Sequence, residues 1–312
     1  MPLSEFELIS RYFERPVRRG DVALGIGDDA ALLRPPPGQE LAVSTDTLIA
    51  GVHFREDAAP AGIGYRALAV NLSDLAAMGA EPAWVILALT LPAADEEWLT
   101  GFSAGFFELA EAHGVALVGG NTARGPLNIT LTVIGFVPEG GALRRDGARP
   151  GDAIYVSGTL GDAGFALENW RGADDAARRR LLRPMPRVAL GLALRGIASG
   201  AVDISDGFAA DLGHILERSR VGAHVEVDRL PLSPALKALD RAAAQRYALS
   251  SGDDYELCFT VPPAREASLA EIGVRCGCTL TRVGEITAGK GLHLTASEGG
   301  AVTLERTGYR HF

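Results

Sequence analysis

The chain has 312 residues, 47% of them hydrophobic, and a formal net charge of −9. That length suits about two domains with a sizeable core, and the acidic balance argues against broad nucleic-acid binding, which needs a basic surface. The opening "MPLSEFELISRYF" has no basic segment followed by an apolar run, so no signal peptide is read, and "AWVILALTL" from Ala83 is too short to span a bilayer.

Short strands are predicted first, in "DVALGI", "AALLR" and "ELAVSTDTLI", the last two separated by a Pro-rich turn at Arg34–Gln39. Helical spacing of Ala67, Leu68, Leu72, Leu75 and Ala76 predicts a helix over Gly62–Met78, ended by Gly79 and Pro82. The strand "WVILALTL" follows, then a helix over Asp95–His113, the strand "VALVGG" and the alternating strand "NITLTVIGFV". Glycine-rich, charged Glu139–Asp152 is the best boundary, and it places one domain at residues 1–138 and a second at 149–312. The second is expected to run through strand "AIYVSG", helices with Pro186 in a first turn, strand "AVDIS", a helix over Gly207–Ser219 and strand "AHVEV". A helix near Ser233–Leu239, strand "YELCFTV", a helix near Ala264–Ile272 and strands "TRVGEI" and "GLHLTA" complete it. Both halves mix strands and helices without strict βαβ alternation, so the fold class is α+β, two mixed α/β sandwich domains.

Two motifs mislead. Gly284-x-x-x-x-Gly289-Lys290 is nearly a P-loop, but Gly291 stands where a magnesium-binding Ser or Thr belongs and a strand follows, so "AGKG" reads as a hairpin turn. Gly25-x-Gly27-x-x-Ala30 has dinucleotide-fingerprint spacing, yet Asp28 and Asp29 would repel a pyrophosphate. Only Lys237 and Lys290 are lysines, so any phosphate-cradling lysine must be one of these. Three cysteines fit a reducing compartment, with the cytoplasm as default. Cys276-x-Cys278 has no second pair and reads as small residues near a strand.

The informative residues are aspartates near strand ends and helix starts: Asp28, Asp29, Asp46, Asp74, Asp203 and Asp206. Each has a capping or turn account by itself. Asp74 resists it, because it sits on a helix among Leu72, Leu75 and Ala76, where an unpaired carboxylate costs several kcal/mol. A divalent cation relieves that cost, and magnesium takes one or two carboxylates before filling its shell with water and phosphate oxygens. Together the set implies several ions bridging protein to phosphate. "VGGNTARG" (Val118–Gly125) and the arginines Arg145 and Arg149 suit a nucleotide. "VSGTLGDAG" (Val156–Gly164) either attracts an anion at a helix start or simply turns the chain.

Taken in order, "GIGDDAA", "STDTLIAGVHF", "AVNLSDLAAMGAEP", "VGGNTAR", "RRDGARPGD", "VSGTLGDAG", "VDISDGFAADL", "SGDDYEL" and "GYRHF" resemble the thiamine-monophosphate kinase family. That family lies within the superfamily typified by aminoimidazole ribonucleotide synthetase, and the resemblance covers nearly the whole chain. It implies two domains of that type, the first binding ATP and magnesium and pairing into a homodimer, the second completing the active site. It also implies magnesium on Asp29, Ser44, Thr45, Asp46, Asp74, Asn121, Asp203 and Asp206, with Asp46 and Asp74 shared between ions and carrying catalysis. ATP is expected at Gly120, Asn121, Arg145 and Ser205, and thiamine phosphate at His53, Asp253 and Tyr309. His53 by itself reads first as a packed strand-end histidine, and the motif match reverses that order. Two departures stand out: Asp253 replaces the family's usual Glu, and Ser103 replaces an aromatic ATP contact, so that either adenine is held differently or Phe102 or Phe106 compensates.

The implied reaction converts ATP and thiamine monophosphate into ADP and thiamine diphosphate, the last step of thiamine diphosphate biosynthesis. The nucleophile is an already anionic phosphate oxygen, so no catalytic base is nominated. Magnesium offsets the repulsion of two polyanions during in-line transfer. The rivals are other enzymes of the superfamily, a non-catalytic nucleotide sensor and a magnesium-dependent phosphatase. Selenophosphate synthetases would show an early reactive Cys with a lysine, and hydrogenase-maturation relatives a terminal cysteine where this chain has His311-Phe312.

Overall fold

A computed structural model describes residues 4–309. Arg310–Phe312, the end of "GYRHF", and the first three residues lie outside the described residues. The chain divides into two compact units, Met1–Leu75 with Ala80–Gly140, and Ala76–Gly79 with Gly141–Phe312.

The first unit runs α1 (Glu5–Tyr12), β1 (Val22–Leu24), β2 (Leu32–Leu33), β3 (Gln39–Ile49), α2 (Pro60–Ala77), β4 (Glu81–Leu91), α3 (Glu96–Ala112), β5 (Ala116–Arg124) and β6 (Asn128–Pro138). β3, β6, β4 and β5 form one sheet in that order, antiparallel except for the β4–β5 pair, which α3 connects as a crossover. α3 begins where Asp95 accepts the N–H groups of Glu97 and Trp98. Trp98, Phe102 and Phe106 then recur every four residues and stack along one buried face. α2 and α3 touch at backbone distance. A Cβ on Gly105 would lie 1.8 Å from the Ala61 carbonyl oxygen, and one on Gly64 would lie 2.1 Å from that of Phe102. α2 is consequently buried almost all round, and Asn71 and Ser73 are enclosed in it at 0% exposure.

The second unit runs β7 (Ala153–Ser157), α4 (Asp162–Glu168), α5 (Asp175–Leu182), α6 (Val188–Leu194), β8 (Gly200–Asp203), α7 (Phe208–Ser219), β9 (Gly222–Glu226), α8 (Pro234–Lys237), α9 (Arg241–Ser250), β10 (Leu257–Val261), α10 (Leu269–Arg275), β11 (Leu280–Thr287) and β12 (Gly291–Thr295). Its sheet order is β12-β9-β11-β7-β10-β8, and only β9–β12 is parallel. One core joins Ile154, Val156 and Val202 of the strands to Phe208, Leu212 and Ile215 of α7.

Several expectations need correction. "AGKG" is not a hairpin turn: β11 and β12 flank β9 on opposite sides, so this segment crosses over β9. Pro186 precedes the Arg187 N-cap of α6 and lies outside its first turn. The predicted helix near Ala264–Ile272 is a 3-10 segment (Pro263–Ser268) continuing into α10. α1 and α9 escaped the periodicity reading altogether. No helix among the described residues is long and apolar enough to cross a membrane.

Candidate functional site

β3 and α2 assemble the first acidic group. Side chains alternate along β3, so Ser44 and Asp46 share one face while Thr45 and Thr47 share the other. The Ser44 hydroxyl donates to Asp74 Oδ2 at 2.6 Å. Asn71, three residues before Asp74 on α2, accepts the Asp46 N–H through Oδ1 at 3.1 Å and donates through Nδ2 to the Ala67 carbonyl at 2.9 Å. Strand and helix thus hold Ser44, Asp46 and Asp74 together. Asn71 was missed from sequence, although an amide inside an apolar helix is the same signal that marked Asp74. Thr45 is not brought to this group by its side chain, which pairs with the Thr132 hydroxyl at 2.9 Å on the exposed face. His53 Nδ1 accepts the Ile49 N–H at 3.0 Å, which places the ring proton on Nε2.

The glycine-framed loop lies at a cavity of about 740 Å³, lined by Asp28, Asp29, Gly120 and Asn121 together with the apolar Ile9 and Leu117. Asp28 and Asp29 are exposed, and Asp28 Oδ1 accepts the Asp29 N–H at 2.8 Å. Gly120 has φ +154, and a Cβ there would stand 1.9 Å from the Leu87 carbonyl oxygen. Only glycine lets β5 pass so close to β4 at the cavity edge. Phe102 and Phe106 are not available to a base, since both are fully buried in the α2–α3 contact. Ser103 is 4% exposed, and its hydroxyl donates to the Thr100 carbonyl at 3.2 Å.

In the second unit the turn after β8 gathers a second group. Asp203 ends the strand at 4% exposure. The Asp253 N–H donates to the Ser205 carbonyl and the Tyr255 N–H to that of Ile204, each at 2.8 Å, and the Tyr309 N–H donates to the Asp206 carbonyl at 2.9 Å. Asp203, Ser205, Asp206, Asp253 and Tyr309 therefore share one loop cluster. Asp253 and Tyr255 have φ of 62° and 49°, and the Tyr255 hydroxyl donates to Asp253 Oδ1 at 3.2 Å. Strain of this kind concentrates where a loop must present side chains. Asp211 Oδ2 accepts the N–H groups of Ser205, Asp206 and Gly207, each at 3.0 Å. Burial, aided by the charge of Asp206, pushes its carboxyl up to about 7 against the pull of those three donors. Arg145 is exposed on the 139–152 loop, where its carbonyl accepts the Ser219 hydroxyl at 2.8 Å.

Beside this loop lies a buried ionic network. Glu256, 0% exposed, accepts from Arg187 Nε and Nη2 at 2.6 Å each and from the Ser157 hydroxyl at 2.5 Å, with Arg180 Nη2 at 2.8 Å. Burial opposes the charge of Arg187, but the hydrogen bonds and charge of Glu256 outweigh it and raise its pKa. Both oxygens of the fully buried Asp254 accept the Gly161 N–H, and desolvation lifts this carboxyl well above the carboxylate range.

Among the described residues, no group of three or more His, Cys, Asp or Glu is arranged as a ready-made metal cage. The donors that do gather, Ser44, Asp46 and Asp74 in one unit and Asp203 and Asp206 in the other, are all oxygen. Few carboxylates at any one place and hard donors throughout suit magnesium, which completes its shell with water and phosphate oxygens.

Comparison with known proteins identifies relatives over the whole chain. Residues 27–137 match the family described as AIR synthase related protein, N-terminal domain, and residues 149–297 its C-terminal domain. Thiamine-monophosphate kinase of Escherichia coli is 51% identical over 323 residues, covering 100% of this chain and 99% of its own. The crystal structure of thiamine-monophosphate kinase from Stenotrophomonas maltophilia superposes with a TM-score of 0.89 at 51% identity, over 97% of this chain and 99% of that one. A structure of AaThiL complexed with AMPPCP and TMP superposes with a TM-score of 0.78 at 32% identity, over 100% and 99%. Motifs, two-unit architecture and full-length similarity converge: the chain belongs to the thiamine-monophosphate kinase family of AIR synthase-related enzymes.

Proposed function

We propose that this kinase transfers the γ-phosphoryl group of ATP in line to the phosphate of thiamine monophosphate, releasing ADP and thiamine diphosphate. The observation that carries the reading is the joint placement of Ser44, Asp46 and Asp74 by β3 and α2. Magnesium ions, when bound, neutralise and align the two polyanions. Asp29, Ser44, Asp46, Asp74 and Asn121, with Thr45 next to them on β3, would hold them in the first unit, and Asp203 and Asp206 would hold others in the second. Asp46 and Asp74 would carry the most weight in that set. Gly120, Asn121, Arg145 and Ser205 contact the nucleotide. The apolar lining of the 740 Å³ cavity takes the adenine, a place Phe102 and Phe106 cannot supply. His53, Asp253 and Tyr309 contact thiamine phosphate. No residue is needed as a base, because the attacking oxygen is already anionic.

The same reading makes the enzyme a homodimer through the first unit, 1–138, with 149–312 completing the active site. Support comes from the exposed face of its sheet. Val43, Thr45 and Thr47 on β3 align across Thr130, Thr132 and Ile134 on β6 with Ile86 and Ala88 on β4. Val43 is 60% exposed and Ile86 38%. Apolar groups in such a row fit a second copy of the sheet. Val43→Glu should shift the sedimentation coefficient from dimer to monomer; an unchanged dimer removes this face as the interface. The cytoplasm is the compartment, in keeping with the unbridged cysteines Cys258, Cys276 and Cys278.

Mass spectrometry after incubation with ATP, magnesium and thiamine monophosphate tests the function. Thiamine diphosphate and ADP are expected in equal amounts. Nucleotide binding without ADP release would identify a sensor, and inorganic phosphate with free thiamine a phosphatase; either result overturns the kinase reading.

A further inference from the structure

We propose that Asp211 is a positioning residue for the reaction, fixing the turn that bears Ser205 and Asp206 and, through that turn, the places of Asp253 and Tyr309. The inference rests on the functional reading above for the roles of those four residues, but its geometry is independent of it. Asp211 lies in the first turn of α7 and is 3% exposed. A single oxygen, Oδ2, collects three consecutive backbone N–H groups, from Ser205, Asp206 and Gly207. Gly207 is the N-cap of α7 and offers no side chain to satisfy them. Three N–H groups converging on one oxygen leave the turn little freedom to rotate about its backbone.

The opposite edge of the same turn is also engaged. Its Ser205 and Asp206 carbonyls accept the N–H groups of Asp253 and Tyr309. A peptide unit is rigid, so a rotation that moves a donor also moves the carbonyl bonded to its nitrogen. The Asp206 N–H held by Asp211 shares its peptide with the Ser205 carbonyl that holds Asp253. The Gly207 N–H held by Asp211 likewise shares its peptide with the Asp206 carbonyl that holds Tyr309. One buried oxygen therefore sets both contacts as well as the direction in which Asp206 leaves the turn. A plain helix cap would steady α7 and nothing more; here the cap and the presentation of site residues share the same two peptides.

Asp211→Ala and Asp211→Asn separate the two roles. Asparagine keeps an oxygen at the same place, whereas alanine removes it. In Asp211→Ala, the magnesium concentration for half-maximal rate and the KM for thiamine monophosphate should each rise, with turnover falling about 10–100-fold, the usual range for losing a residue that orients a metal ligand. Asp211→Asn should restore most of the rate. Hydrogen–deuterium exchange supplies a readout without activity: the amides of Ser205–Gly207, Asp253 and Tyr309 should exchange faster in Asp211→Ala and remain protected in Asp211→Asn. If exchange quickens only along α7, or if magnesium dependence and KM stay at wild-type values while activity follows the folded fraction, the positioning role is overturned. A wild-type protein that makes no thiamine diphosphate yet shows the expected exchange pattern would sink the functional reading and leave the coupling of turn and loop standing.

Discussion

Asp74→Asn should lower turnover by roughly 10³-fold or more, equivalent to about 4 kcal/mol of transition-state stabilisation. The substitution is nearly isosteric, and an asparagine oxygen can still accept the Ser44 hydroxyl, so the β3–α2 contact survives. What disappears is the negative charge that would attract a divalent cation. Melting temperature should consequently change little, within the roughly 1 kcal/mol that a single hydrogen bond contributes. Steady-state kinetics over a magnesium series, beside a thermal melt, would check both halves. Near-normal turnover would remove Asp74 from the metal-binding set, and collapse of the fold would assign it a structural role instead.

Glu256→Ala is the counterpart with a large effect on stability. It leaves Arg180 and Arg187, with side chains only 20% and 13% exposed, facing each other without the carboxylate that joins them. Breaking a buried ion pair from one side costs roughly 3–5 kcal/mol, which for a unit of this size lowers the melting temperature by on the order of 10 °C. The Ser157 hydroxyl loses its acceptor as well. Adding Arg187→Met to Glu256→Ala should recover part of the loss, because the second substitution removes one of the stranded charges. Calorimetry on the two single variants and the double variant gives the coupling; strict additivity would mean that the network is not cooperative.

These two sites differ in how visible they were before folding. Asp74 announced itself as a carboxylate inside an apolar helical stripe and Asp46 as an aspartate near a strand end, whereas Ser44 came only with the family resemblance. The helix after Asp95 was equally plain, since a cap and aromatics four residues apart point the same way. Alternation in "NITLTVIGFV" marked a half-buried strand for the same reason. Glu256 was hidden, because a carboxylate beside a strand looks like a surface residue until Arg180 and Arg187 arrive from distant positions. Sheet order was hidden too: nothing local in "AGKG" shows that β9, some sixty residues earlier, will lie between the strands it connects. α9 carries mostly alanine and polar residues, so its helix lacks an apolar stripe to find. Periodicity reads faces, and it cannot read which distant segment will cover them. Thr45 shows this limit at a single residue, since its neighbours Ser44 and Asp46 look inward and it looks out.

The left-handed backbone at Asp253 bears on the longer acid that the family resemblance leads one to expect at this position. Aspartate and asparagine visit that region more readily than other side chains, because a short polar group can bond locally. The hydroxyl of Tyr255 offers such a bond here. Lengthening the residue to glutamate would extend its reach by one methylene and surrender part of this conformational ease. Asp253→Glu would therefore trade how far the acid extends against how comfortably its main chain sits.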